Sequence, residues 1–319
     1  MPLAHLAEWE WGWKTPLLLR FEAPAEIRDF LATPLGELDL DAAERTLAER
    51  VAELNTYRIG VYFERVQEAL FRAHPDTESL RTSLVVPRRT EIDLLHRLRT
   101  LPGTLVHWEV AVKYYLGLDE GGSRDPHRYV GPSLKDTLGV KLRTIFHRQL
   151  PILADPEIRA AYAGAFGIAE TDRIVRLPKV HGLLYAPFRG RAERECPPEV
   201  VPGRSGGAWC TRSEIDAFLR SVREEVGPSA RVRWLRDRYD WLRETARIAR
   251  PDDEAPLKEY LNSSLAERVQ SHFADGGDPI HCSILGARGE LRFFVVTDGW
   301  RDDAERKLET FRTGGRIKS

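Results

Sequence analysis

At 319 residues the chain is long enough for one large domain or two ordinary ones, with room for a sizeable buried core. Hydrophobic residues at 42% and charged residues at 30% describe a folded chain and exclude a disordered one. Lys+Arg number 48 against Asp+Glu 49, so any contact with nucleic acid must come from a local patch and not from overall charge.

The opening MPLAHLAEWEWGWK has no basic stretch followed by an apolar run, so no signal peptide is expected there. The longest apolar runs, such as Leu17 to Leu19, are too short to span a bilayer, so no membrane partner is expected. Cys196, Cys210 and Cys282 are odd in number, widely spaced and form no CxxC pair. That pattern suits a reducing compartment, the cytoplasm, and argues against a structural zinc site.

Trp9, Trp11 and Trp13 alternate, which predicts a short strand or an aromatic clamp packed on the core. Asp39 to Leu54 reads as a helix, and a second helix runs from Arg58 to Ala73 with Ile59, Tyr62, Phe63, Val66 and Leu70 on its apolar face. The period then changes. Thr82 to Pro87 and Thr90 to Leu98 are short and rich in β-formers, with Arg88 and Arg89 between them. Leu101-Pro-Gly marks a turn, and Thr104 to Leu116 is a longer strand followed by a Gly-rich charged loop from Gly117 to Asp125. Ser133 and Asp136 suggest a capping box for a helix that presents Leu134, Leu138, Leu142 and Ile145 and stops at Pro151. Arg173 to Phe188 reads as one or two further strands.

Arg189 to Gly207, rich in Pro, Gly and Arg, is the natural boundary, giving expected blocks 1–190 and 191–319. Thr211 and Glu214 cap a helix through Val226 that ends at Gly227-Pro228. Helical spacing continues through Trp234, Trp241 and Ile248, and again through Leu257, Leu261 and Leu265. A β-hairpin, IHCSILG and ELRFFVVT about the turn Ala287-Arg288-Gly289, is too apolar to stand alone and is expected to extend a sheet or lie under helices. A short helix from Asp302 to Phe311 follows. The expected fold is α/β (α+β), with a small mixed sheet flanked by helices.

Asp93 interrupts the apolar run Ile92 to Leu95, and Glu109 and Lys113 interrupt the very apolar strand Val106 to Leu116. Alternation sets Glu109, Ala111 and Lys113 on one face of that strand. Two charges on one face of such a strand require an explanation. A half-buried ion cluster with Asp93 is the structural one. Metal-dependent phosphodiester cleavage is the chemical one, because it needs hard oxygen ligands for Mg²⁺ and a cation near the scissile phosphate. Glu64 lies at the edge of the apolar face of the preceding helix, so an acid on a helix, an acid on the second strand and an acid with lysine on the third recur together.

Gly60 to Glu64, Thr90 to Asp93, His107 to Gly117, Gly131-Pro132 and Lys141 to Gln149 together resemble a bacterial domain-of-unknown-function family, number 1853. Arg292 to Trp300 resembles that family's ending, so the likeness covers most of the chain. The family in turn resembles the PD-(D/E)XK nuclease superfamily. The resemblance implies a nuclease-like core acting on DNA, with Mg²⁺ or Mn²⁺ held by Asp93 and Glu109. It implies that Lys113 orients water or neutralises phosphate, and that Glu64 supports the metal. One departure is the three residues between Glu109 and Lys113, roughly 13 Å in a regular strand against about 7 Å for the usual single-residue gap. That spacing and the near-neutral charge favour a second reading, a nuclease-like fold that has lost catalysis and binds nucleic acid or protein.

The remaining signals are weaker. Arg231 to Arg250 holds seven arginines interleaved with Trp234 and Trp241, which fits an amphipathic helix or a phosphate-contacting one. Gly203-Arg-Ser-Gly-Gly207 matches the hydrolase elbow around Ser205 in letters, but its flanks suit a loop. No P-loop, GxGxxG or HExxH is present, so no nucleotide cofactor is expected.

Overall fold

A computed structural model of the chain describes residues 5–52, 58–85, 91–169, 171–190, 195–227, 229–236, 238–242 and 253–312. Its strands are β1 (Thr77–Val85), β2 (Glu91–Leu98), β3 (Thr104–Gly117), β4 (Tyr129–Val130), β5 (Arg173–Pro187), β6 (Ser205–Thr211), β7 (Arg231–Trp234), β8 (Glu254–Pro256), β9 (Ile280–Gly286) and β10 (Gly289–Val296). They pair in the order β1-β2-β3-β5-β6-β10-β9-β7-β8, with β4 beside β3. The pairing is mixed: β6 runs parallel to β5 and to β10, while β1–β2, β2–β3 and β9–β10 are antiparallel. The fold is therefore α/β, with helices flanking a ten-stranded mixed sheet. No helix among the described residues is long and apolar enough to cross a membrane.

Contacts group the chain into two units that interleave in sequence. The first is Met1–Val112, Leu142–His181 and Leu242–Glu244; the second is Lys113–Lys141, Gly182–Trp241 and Thr245–Ser319. The expected block 1–190 thus contributes to both.

In the first unit, Trp9, Trp11 and Trp13 lie on a helix, α1 (Leu6–Lys14), and not on a strand. Alternation misleads here because the helix is buried nearly all round, with Glu8 and Gly12 inside as well. Trp11 packs edge-on to Phe63 at 5.8 Å, and Trp13 meets Phe30 at 5.7 Å and Phe71 at 6.1 Å. Both Phe63 and Phe71 belong to α4 (Ile59–Ala73), whose buried stripe contains the expected Tyr62, Phe63, Val66 and Leu70. The helix expected from Asp39 is α3 (Leu40–Ala52); Leu54, Arg88 and Arg89 lie outside the described residues. Arg173 to Pro187 forms one long strand, β5.

The second unit is built on Phe218, Val222, Val232, Ile284, Phe293 and Val295, all buried in one cluster. The late hairpin extends the sheet on both sides: β9 also pairs with β7, and β10 lies parallel to β6 with Phe293 opposite Ala208. The capping box at Thr211 and Glu214 forms and leads into α7 (Ile215–Val226), where Gly227 at φ 91° ends the helix.

Three local expectations are overturned. Trp234 closes strand β7, because Arg231 and Arg233 alternate around buried Val232 and both meet Glu254. Ile248 lies outside the described residues. Ser205 opens strand β6 and not a loop, and Gly207 at φ 144° lets Arg292 O approach where a Cβ would stand 1.9 Å away. Ser133 and Asp136 do not cap a helix. Leu134 adopts φ 58°, and α5 (Leu138–Thr144) starts only after Thr137, whose Oγ1 accepts the Val140 amide at 3.2 Å.

A lysine lies in the aromatic core of the first unit. Lys179 on β5 is 2% exposed, with Nζ 5.4 Å from the Trp13 ring and 5.6 Å from the Phe71 ring. Cation–π attraction offsets part of its lost hydration, yet burial still pushes the ammonium down to about 7. Between about 7 and the unfolded value of about 10.4 only the unfolded chain carries this proton, so stability rises with pH across that window and is lost as pH falls through about 7. Lys179→Met removes the titration. Its melting temperature is expected to exceed wild type most at and below pH 7, with the advantage vanishing towards pH of about 10.4, as parallel calorimetric scans across pH will read.

Candidate active site

The ladder between β2 and β3 pairs Leu94 with Trp108, Leu95 with His107 and His96 with Val106. The regular ladder ends there, one residue short of Asp93 and of Glu109. Opposed residues of an antiparallel pair project to the same face with Cβ atoms about 5 Å apart. Which face follows from their neighbours. Trp108 and His96 each meet the Phe71 ring of α4 at 5.3 Å. Leu95 and Leu105 pack instead with Ile152, Leu153, Ile158 and Tyr162. By alternation Glu109 shares the second face with Leu105 and His107, whereas Ile92, next to Asp93, joins the same cluster as Leu95. At this point the ladder gives way to a side chain: the Val110 amide donates to Asp93 Oδ2 at 2.8 Å. Glu109 is 1% exposed and Asp93 is half-buried.

Glu64 occupies a half-buried position on α4, the helix whose Phe71 covers the opposite face. The acid that α4 buries completely is Glu68, one turn later. It accepts from Arg50, Arg65 and Arg72 at 3.0–3.2 Å. Burial alone would raise its carboxyl, but the Arg72 hydrogen bond and the charges of all three arginines hold it below the usual range.

Lys113 belongs to the second unit, and its partner there is Asp136. Nζ donates to Asp136 Oδ2 at 2.9 Å, and the fully buried Tyr115 donates to the same oxygen at 3.3 Å. Burial first, and the Asp136 carboxylate second, push the Tyr115 phenol far up. Asp136 is presented by a tight loop in which the Gly131 amide donates to Asp136 O at 2.9 Å.

Two side chains that the sequence did not single out stand on the acid face. His107 is 1% exposed and lies against the Leu150 backbone; burial first and the charge of Arg176 second push its ring down to about 4, so it is neutral at pH 7. Arg176 on β5 is exposed. His107 interrupts the apolar strand in the same way as Glu109, which is the signal by which it could have been found.

Among the described residues no group of three or more His, Cys, Asp or Glu side chains is disposed to hold a metal. Asp93 and Glu109 offer two hard oxygen donors from neighbouring strands. That set suits Mg²⁺, which binds through one or two carboxylates and keeps several waters, better than a zinc cage.

No curated protein matches the chain, and no solved structure does. A family model described as Domain of unknown function (DUF1853) matches residues 8–276. The match ends before Arg292 to Trp300, so the likeness read in that segment lies outside it.

The Val110 bond separates two substitutions at Asp93. Asp93→Asn keeps an oxygen for the amide, whereas Asp93→Ala leaves the amide without it and is expected to cost about 1–2 kcal/mol more. Urea unfolding of the two variants side by side measures the difference.

Proposed function

The chain belongs to the family described as Domain of unknown function (DUF1853), and from its own residues we propose that it is a divalent-metal-dependent nuclease that cleaves DNA through Asp93 and Glu109. The observation that carries this reading is the β2–β3 pairing: Asp93 and Glu109 each lie one residue beyond its last regular pair, Leu94 with Trp108, and a continued register would set them opposite one another. The same pattern, acids converging from adjacent strands of a mixed sheet flanked by helices, supports a PD-(D/E)XK-like core. Asp93 and Glu109 would hold Mg²⁺ or Mn²⁺. When bound, the ion supplies positive charge to the phosphate and lowers the pKa of a coordinated water. The Val110 amide orients the Asp93 carboxylate. His107, neutral and two residues from Glu109 on the same face, adds no charge that would compete with a cation. Glu64, by this reading, supports the site from its half-buried position on α4.

Lys113 favours a second reading. Its ammonium is taken up by Asp136, and a nuclease-like fold without its lysine suits a module that binds without cleaving.

Asp93→Asn and Glu109→Gln keep volume and hydrogen-bonding capacity, so the main loss is negative charge. The nuclease reading expects divalent-dependent cleavage of single- or double-stranded DNA to fall to background in both variants, with stability changed by less than about 1 kcal/mol. A purely structural ion cluster predicts destabilisation of about 3–5 kcal/mol instead. Cleavage that survives both substitutions refutes the site, and wild-type protein that cleaves nothing with either ion leaves the choice between the two readings to a binding measurement.

A further inference from the structure

Residues 138–154 change helical geometry twice. α5 gives way to a π turn over Ile145–Gln149 and then to a 3-10 turn over Leu150–Ala154. Pro151 accounts for the change, since it has no amide to donate and its ring would meet the carbonyl four residues earlier, that of His147. The widened turn keeps Ile145 fully inside and leaves Phe146, His147 and Arg148 exposed. Phe146, at 37% exposure, is the one aromatic among the exposed large hydrophobic residues described. π turns of this kind are uncommon and concentrate at functional positions.

The turn stands on the acid face. Ile152 and Leu153, just beyond it, pack with Leu95 and Leu105, and Leu150 lies against His107. Arg176 reaches the same place from β5. The Arg173 amide donates to Gly103 O at 3.1 Å, β5 lies beside β3, and Ile174 packs on the same cluster, so alternation brings Arg176 to that face next to His107. Neither Arg148 nor Arg176 has an ion-pair partner among the described residues. In a chain of net charge −1, two guanidiniums without ion-pair partners on the elements that flank His107, with an exposed ring on one of them, suit a polyanion.

We propose that Phe146 and Arg148 on the π turn, with Arg176 on β5, hold a single-stranded nucleic acid beside Asp93 and Glu109. Phe146 stacks on a base and the two guanidiniums take backbone phosphates. A single strand is the fitting ligand because a lone exposed ring needs an unstacked base, which a duplex does not offer. The turn is also too short to enter a groove. The placement of the strand rests on the acid-pair reading, and Arg176 supplies the phosphate-facing cation that Lys113, bonded to Asp136, does not.

The test is fluorescence anisotropy of a labelled oligothymidylate in EDTA, where binding is read apart from cleavage, with a blunt duplex in parallel. Phe146→Ala is expected to weaken single-strand binding about tenfold or more, and Phe146→Trp to retain it. Arg148→Ala and Arg176→Ala should each lower the slope of log affinity against log salt by about 0.7. Melting curves confirm that these surface variants are folded. Wild-type protein that binds neither DNA, that prefers the duplex, or whose affinity is unchanged in Phe146→Ala overturns the proposal. Retained single-strand binding by a protein that cleaves nothing supports this surface and removes the nuclease reading. Cleavage lost in Asp93→Asn, with Phe146→Ala binding as wild type, removes this surface and keeps the nuclease.

Discussion

Strand β3 is buried along its whole length except at Lys113, so the ionisable groups on it depend on what their neighbours supply. An unanswered charge in such a place costs several kcal/mol, a large fraction of the stability of an ordinary domain. Each unit supplies its own neighbours. In Thr104–Val112, His107 is kept neutral against Leu150, and the backbone next to Glu109 is bonded by Asp93. In Lys113–Gly117, Asp136 serves both Lys113 and Tyr115. The helices and loops around β3 are placed by these obligations as much as by apolar packing.

Much of the fold was legible because it depends on short-range pattern. The stripe of α4, the box that starts α7 and the late hairpin all follow from spacing within a dozen residues. What escaped depends on what lies opposite. Trp9, Trp11 and Trp13 satisfy two periods at once, and only the presence of Phe30, Phe63 and Phe71 around them decides for a helix. Trp234 fits helical spacing with Trp241, but β9 and β8 on either side of β7 impose a strand. Asp136 looked like a cap because its partner, Lys113, is 23 residues away.

The site shows the same division. Asp93 and Glu109 were visible as charges in apolar strands, and the pairing shows those strands to be neighbours. Glu64 and Glu68 are one turn apart on α4, so spacing treats them alike; Arg50, on a different helix, makes Glu68 the buried one. Arg176 has no local signal at all. Its position beside His107 comes from the alignment of β5 with β3, a long-range property. Pro151 was read as the stop of one helix, whereas α5 ends at Thr144, a π turn that displays Phe146 follows, and Pro151 lies inside the 3-10 turn after it.

The order of the strands also bears on how the protein is made. β10, the last strand among the described residues, lies between β6 and β9. As the polypeptide leaves the ribosome, β6 emerges with one edge uncovered, and β9 follows with its own, before the strand that joins them exists. Until then Ala208, Cys210 and Ile284 belong to two sheet fragments with open edges, and the core they share with Phe293 and Val295 has no floor. Exposed edges and apolar faces are the features that draw nascent chains into aggregates. A chain cut short of Val296 therefore leaves a sticky intermediate and not a smaller folded protein, so the interval between the synthesis of β6 and that of β10 is one of exposure to aggregation.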